Sequence, residues 1–412
     1  MTTTMPRPSA PRIGLTLAAG ALVLAPALAQ AEDAKPPATW MEGITFGLQL
    51  EAGVTANTKK TSNNFGQLFT DKPNTVLLSQ VLFTVGRTID PKETGWDVGF
   101  KLQLLGGTDA RYTHFLGEFD RSLSGRYQFD VVEANVTVHA PVLTAGGIDA
   151  KVGQYATPIG YETIDPVTNP FYSHSYIFNF GIPLKHTGAL AILHATDMID
   201  LYAGLDTGVN TSIGNTGDNN KAIGGIAGAQ LTLLDGKLTV LALSHIGAES
   251  ASLLVPNAGK YMRYLNDIAI TWKATDALTF VTELNYIRDD FAKADGGGIA
   301  QYVAYGLTDT LTLNARAEAW ADSKNFFVAA FPGNQDFTNA QFGKPSGAFS
   351  APKGGTYGAL TLGTTYKPPM PSAFTGLLIR PEVRYDRSLS GVGAFSGKKD
   401  AITLASDIVL TF

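Results

Sequence analysis

The chain has 412 residues, 16% of them charged, a net charge of −5 and a mean hydropathy of +0.05. Soluble globular domains carry about 25% charged residues, and helical membrane proteins show apolar runs of about 20 residues; only one such run occurs here, at the start, so neither class fits. The absence of cysteine excludes disulfides and thiolate metal sites, and no basic patch argues for a nucleic-acid partner.

Met1–Ala31 reads as a cleavable secretory leader. Arg7 and Arg12 form its positive region and Ile13–Ala29 its apolar core. Ala29-Gln30-Ala31 supplies the small-x-small exit before Glu32, with Ala27-Leu28-Ala29 as a second site. Residues 32–39 are expected to be a loose mature start, and residues 40–412 one barrel domain.

The first extended segment sets the pattern for the rest. Ile44, Phe46, Leu48, Leu50, Ala52 and Val54 alternate with Thr45, Gly47, Gln49, Glu51, Gly53 and Thr55. Successive strand residues point to opposite faces, so this strand has one greasy and one wet face. It is long enough for the roughly 9–11 residues that a tilted strand needs to cross a bilayer. The device recurs from Trp96 to Leu104 and again with Val132, Ala134, Val136 and Val138 opposed by Glu133, Asn135 and Thr137. It returns at Ile199–Asp206, Leu311–Trp320 and Leu377–Asp386. Weaker versions lie near 76–87, 148–155, 188–195, 223–234, 238–246, 264–274, 278–288, 298–307 and 357–366, and 401–412 closes the series. The count is sixteen.

Short connections (90–94, 140–147, 196–197, 235–236, 275–276, 308–309, 367–375) take turns with long ones (57–75, 106–126, 156–187, 207–222, 247–261, 289–297, 321–356, 387–399). Short periplasmic turns, long outer loops and an even strand number characterise outer-membrane barrels. Hydrocarbon offers no partner to an unpaired backbone, so such a sheet has to close. The sequence therefore predicts an all-β, transmembrane antiparallel barrel of about sixteen strands. Pro381 is the awkward residue, since proline cannot donate to a ladder; a bulge is expected there. Trp40, Trp96, Trp272, Phe280, Tyr366 and Phe412 fall at strand ends near the periplasm, and Tyr286 and Tyr385 toward the outside, as interfacial belts do.

The segment Gly153–Gly188 breaks the rhythm. It is rich in aromatics and Asn and has no sustained period. The reading is that it narrows the hole in the closed sheet. Its run from Gly160 to Gly188 resembles the OmpL-like putative β-barrel porin family. The residues that carry the resemblance are Gly160-Tyr161-Glu162, Asn169-Pro170-Phe171-Tyr172-Ser173-His174-Ser175-Tyr176, Pro183 and His186-Thr187-Gly188. Arg316-x-Glu318 with Asp322, and Leu378–Asp386, agree with it. The resemblance implies an outer-membrane porin, a water-filled channel for passive diffusion of small hydrophilic solutes, without naming the solute. The terminal Phe412, closing an amphipathic strand, resembles the recognition signal of the outer-membrane insertion machinery, and the porin resemblance also implies contact with lipid and lipopolysaccharide and a homotrimer. By the same resemblance, the third long loop folds into the lumen as the constriction. Tyr161, Phe171, Tyr172, Tyr176 and Phe178 then pack it on the wall, and Glu162 and Asp165 either face the water path or hold local structure.

Alternation places Glu51, Lys101, Glu133, Lys151, Asp200, Asp267, Glu283, Arg316, Glu318, Arg380, Glu382, Arg384 and Asp386 on the inner wall. Two arrangements stay open: inward charges paired across strands, or free arginines facing carboxylates across the channel. No nucleophile elbow, zincin motif or Walker loop is present, so no enzyme activity, metal or cofactor is expected; His174 and His186 lack ligand spacing. The competing reading is a barrel with a blocked lumen that binds a ligand or surface.

Overall fold

Strict alternation gives every extended segment one apolar and one polar face, and sixteen such segments pair side by side until the last meets the first. The computed structural model describes residues 39–59, 63–89, 95–120, 125–214, 217–328, 354–391 and 393–412. The leader read at Met1–Ala31, residues 32–38, the turn at 90–94 and most of the 321–356 link lie outside them.

The strands are β1 (Thr45–Asn57), β2 (Val76–Arg87), β3 (Asp97–Gly107), β4 (Gln128–Ala140), β5 (Ile148–Ala156), β6 (Lys185–Thr196), β7 (Ile199–Asp206) and β8 (Gly224–Leu233). They continue as β9 (Leu238–Ala248), β10 (Met262–Lys273), β11 (Leu278–Asp289), β12 (Ala294–Thr308), β13 (Leu311–Asp322), β14 (Gly355–Tyr366), β15 (Gly376–Ser388) and β16 (Asp400–Thr411). Each pairs antiparallel with its sequence neighbours, and β1 closes on β16 with Ala52 opposite Ile408. No described helix is long and apolar enough to cross a membrane.

The faces are inverted relative to a soluble protein. Val152, Leu205, Leu404 and Ile408 are exposed on the outside, while Glu283, Arg316, Arg380, Arg384 and Asp407 are buried inside. Trp40, Trp96, Trp272 and Tyr366 are exposed near the short-turn end. Trp272 stacks on Phe280 at 5.7 Å and Phe412 meets Phe374 at 5.2 Å.

Three local readings are corrected. The 289–297 link is not long: β12 begins at Ala294, so only residues 290–293 connect it to β11. Gly296, Gly297 and Gly298 signal a loop in sequence, yet they lie in the strand. A Cβ on Gly296 would stand 2.7 Å from the Phe327 ring, and one on Gly298 2.9 Å from Trp320, so glycine here admits neighbouring rings against the wall. Alternation puts Val132 on the apolar outer face with Ala134. The β3–β4 register shifts between Gln103 and Leu104, which pair with Glu133 and Val131, so Val132 is the extra residue and turns inward, fully buried. Pro381 sits in no bulge. The β14–β15 register is the same on either side of it, Gly363 opposite Glu382 and Tyr366 opposite Ile379, and ladder pairing simply lapses between them.

Candidate functional site: the segment fastened across the lumen

Residues 157–184 connect β5 to β6 without any strand of their own. Their prolines and side-chain-bonding Asn, Thr and Asp favour turns over ladders. Asp165 opens a short 3₁₀ turn, Pro166–Thr168, by accepting from Val167 N at 3.1 Å. Asn169 closes the loop locally, accepting from Thr163 N at 2.9 Å and donating to Thr163 O at 2.8 Å. Ile177–Gly181 forms one π-helical turn. A backbone buried in this irregular form must find partners outside itself, and the wall charges supply them.

Arg380 of β15 donates to Pro166 O at 2.6 Å and Asn169 O at 2.7 Å. Arg384 donates to His174 O at 2.7 Å, and Arg316 of β13 to Ser173 O at 2.7 Å. Carboxylates hold the N–H groups. Glu382 accepts from Tyr172 N and Ser173 N at 3.0 and 3.2 Å, Glu318 from Tyr176 N at 2.6 Å, and Glu283 of β11 from Tyr161 N at 2.9 Å. Tyr172 Oη lies 2.9 Å from Ser79 Oγ of β2, and Gln49 of β1 donates to Asp165 Oδ2 at 3.2 Å. These contacts tie the segment to β11, β13 and β15 through its own main chain, and to β1 and β2 through its side chains.

Glu162 anchors the centre and does not face open water, being 3% exposed. It accepts from Arg316 at 2.8 Å, Tyr302 Oη at 3.0 Å and Ser175 N at 3.0 Å, and His174 Nδ1 stands 2.7 Å away. Burial alone would raise this carboxyl's pKa; the Arg316 charge and the His174 hydrogen bond outweigh it and hold the value down, at about 2.

The wall arginines are paired rather than free. Arg316 also meets Glu318 at 3.1 Å, Arg384 meets Asp386 at 2.9 Å, and Arg380 meets Glu51 at 3.0 Å and, closer still, Asp407. The arrangement with unpaired arginines is therefore set aside. Lys101 and Glu133 pair at 2.6 Å, while Lys151 is half-buried with its ammonium 5.9 Å from the Tyr155 ring. The inner wall across from the arginines is partly apolar: Tyr155, Leu190 and Ile226 form a buried cluster with Ile192 and Tyr202 against it.

Most of the expected constriction residues come together. Tyr161 packs edge-on to Tyr302 at 4.7 Å, Phe171 lies under the Arg316 guanidinium at 5.1 Å, and His174 stacks on Phe178 at 3.9 Å. Tyr176 stacks on Tyr357 at 5.8 Å and reaches Asp386 at 3.1 Å. His186 does not join them. It belongs to β6, where its Nδ1 lies 2.9 Å from Asp206.

Sequence reasoning missed how much of the first two long links also enters. Phe69 packs on His174 and Phe178 at 4.9 and 5.3 Å, and Gln67 donates to Asp386 at 3.2 Å. Asp71 bridges Arg111 and Arg126 at 3.0 and 2.7 Å. Burial pushes the Asp71 carboxyl up, but the Arg126 and Arg111 contacts prevail and lower its pKa. Lys185, fully buried, pairs with Asp130 at 2.5 Å. Asp407 was legible from alternation in the last strand; the loop partners carry no periodic signal.

A closed sixteen-strand barrel, apolar outside and charged inside, with a chain segment fastened across its lumen, is the architecture of a porin of the bacterial outer membrane. The chain belongs to the putative beta-barrel porin-2, OmpL-like family, whose model matches residues 43–412. Its fold is similar to that of an anion-selective porin from Comamonas acidovorans (10% identity, TM-score 0.55, 90% of this chain and 99% of that one). It is similar also to the outer membrane channel DcaP of Acinetobacter baumannii (11%, 0.52, 90% and 97%) and to the trimer form of OmpT from Vibrio cholerae (12%, 0.50, 90% and 99%). No curated protein matches the chain.

Proposed function

We propose that this porin is a restricted diffusion channel, in which small hydrophilic solutes pass through the part of the lumen that the fastened segment leaves open. The observation that carries the reading is the asymmetry of the anchors. Apart from the Thr157–His186 contact at the segment's own junction with β6, they fall on β1, β2 and β11 to β15, whereas the inner faces of β3 to β7 keep partly exposed polar groups. Lys101 keeps 41% of its side chain exposed, His194 28% and Asp200 24%. Lys101, Lys151, Asp149, His194 and Asp200 then line the path, and Glu162, Arg316, Arg380 and Arg384 set its width by holding the segment. The path carries both signs of charge, so it admits polar solutes without a strong sign preference. The reading assigns no reaction step. Assembly as a homotrimer through the apolar outer face belongs to the same proposal, as does Phe412 as the handle for membrane insertion.

One observation favours a blocked lumen instead: residues 171–186 are buried without a break, and the first link packs against them. Single-channel recording in planar bilayers separates the two. Stable small-conductance openings support the restricted channel; a folded barrel that never conducts refutes it and leaves the blocked barrel.

A further inference from the structure

At the outer ends of β6, β7 and β9 lies a cluster that the channel reading does not use. We infer that His186, Asp206 and His245 form a buried site for one divalent transition-metal ion of the zinc class. Their ligand atoms all lie within 4.8 Å of one another, and the three residues are 0%, 4% and 1% exposed. His186 Nδ1 is 2.9 Å from Asp206 Oδ2, and His245 Nε2 is 3.1 Å from both Asp206 oxygens. Zinc–nitrogen bonds of about 2.0–2.1 Å at tetrahedral angles put ligand atoms about 3.3 Å apart, so each imidazole needs to move off the Asp206 carboxylate by only a few tenths of an ångström, the two imidazole donors lying within 4.8 Å of each other.

The surroundings support ligation independently of those distances. A metal-bound imidazole gives its far N–H to an outer partner, which fixes ring and tautomer. His186 Nε2 has Thr157 Oγ1 at 3.0 Å. His245 Nδ1 faces Glu249 Oε1 at 3.8 Å, and that oxygen is a buried acceptor with no hydrogen bond. The tautomer that leaves Nε2 free for a metal places a proton on Nδ1, 3.8 Å from this oxygen. The other oxygen, Glu249 Oε2, is held by Val209 N at 2.8 Å. Gly224 brings its backbone against the cluster: a Cβ there would stand 2.5 Å from Asp206 Oδ1. Two imidazoles and one carboxylate suit zinc, nickel or copper and not magnesium or calcium, which prefer all-oxygen sets. β6 starts where the lumen segment ends, so the ion would pin that end to β7 and β9.

The test uses the untagged full barrel, refolded in detergent with Zn²⁺, dialysed against metal-free buffer and analysed for metal; heat-modifiable gel mobility verifies folding. About one zinc per barrel is expected, reduced to background in His186→Ala/His245→Ala and retained in His194→Ala. Glu249→Gln should weaken affinity about tenfold or more. Loading wild type with Co²⁺ should give the visible absorption of a tetrahedral site, a readout that needs no variant to fold. Wild type that retains no zinc, a double variant that retains as much, or displacement of zinc by millimolar Ca²⁺ would each overturn the inference.

Discussion

Arg316 has no exposed surface and contacts Glu162, Glu318 and the Ser173 carbonyl at once. Removing one member of a buried ion cluster leaves its partners uncompensated, at a cost of about 3–5 kcal/mol. Arg316→Ala should therefore lower the thermal midpoint of the gel-shift transition markedly, while Lys101→Ala, at a partly exposed pair, should shift it little. Glu162 adds a pH dependence of definite sign. Its folded pKa lies below the ordinary 4.5, at about 2, so its contribution is complete above pH 4.5 and is lost as pH falls through about 2. The stability gap between wild type and Glu162→Gln should hold steady down to pH 4.5 and close on the way to pH 2. A gap of unchanged size at pH 2 would show that the pair does not hold the segment.

At the scale of elements, β12 shows how close packing overrides local signals. Three consecutive glycines lie in a strand, and at two of them, Gly296 and Gly298, the Phe327 and Trp320 rings approach the backbone. A Cβ on Gly298 would meet Ala319 O at 2.6 Å as well as the Trp320 ring, and neither backbone nor a fully buried indole yields easily. Gly298→Val should cost roughly 1–3 kcal/mol through overpacking, seen as a lower thermal midpoint with the closed barrel still forming. The lumen segment obeys the same logic on a larger scale. Its fixed shape comes from wall side chains bonding its main chain, so it should persist as a unit or release as a unit.

For the whole molecule, the proposed path runs along β3 to β7. Reversing Lys101 and Lys151 to Glu should shift the reversal potential under a salt gradient toward cations, since exposed wall charges act on mobile ions within about a Debye length of 8–10 Å. An unchanged potential would place the path elsewhere. A trimer should appear as a detergent-corrected mass three times that of the denatured chain; a monomeric mass at all protein concentrations would remove that part of the proposal.

Barrel closure, strand number and the facing of most wall residues were legible in the chain itself. Alternation is a local property, so Arg380-x-Glu382-x-Arg384-x-Asp386 reads as an inward row before any partner is known. The resemblance carried by Gly160–Gly188 likewise marked the lumen segment. Tertiary structure alone decided the rest: that Glu162 is sealed under Arg316, that Val132 turns inward at a bulge, that His186 leaves the segment for Asp206 and His245, and that the first two links pack inside. Those outcomes rest on contacts between residues often more than a hundred positions apart, such as Arg316 with Glu162. No period along one strand encodes which distant main-chain group a buried charge will satisfy.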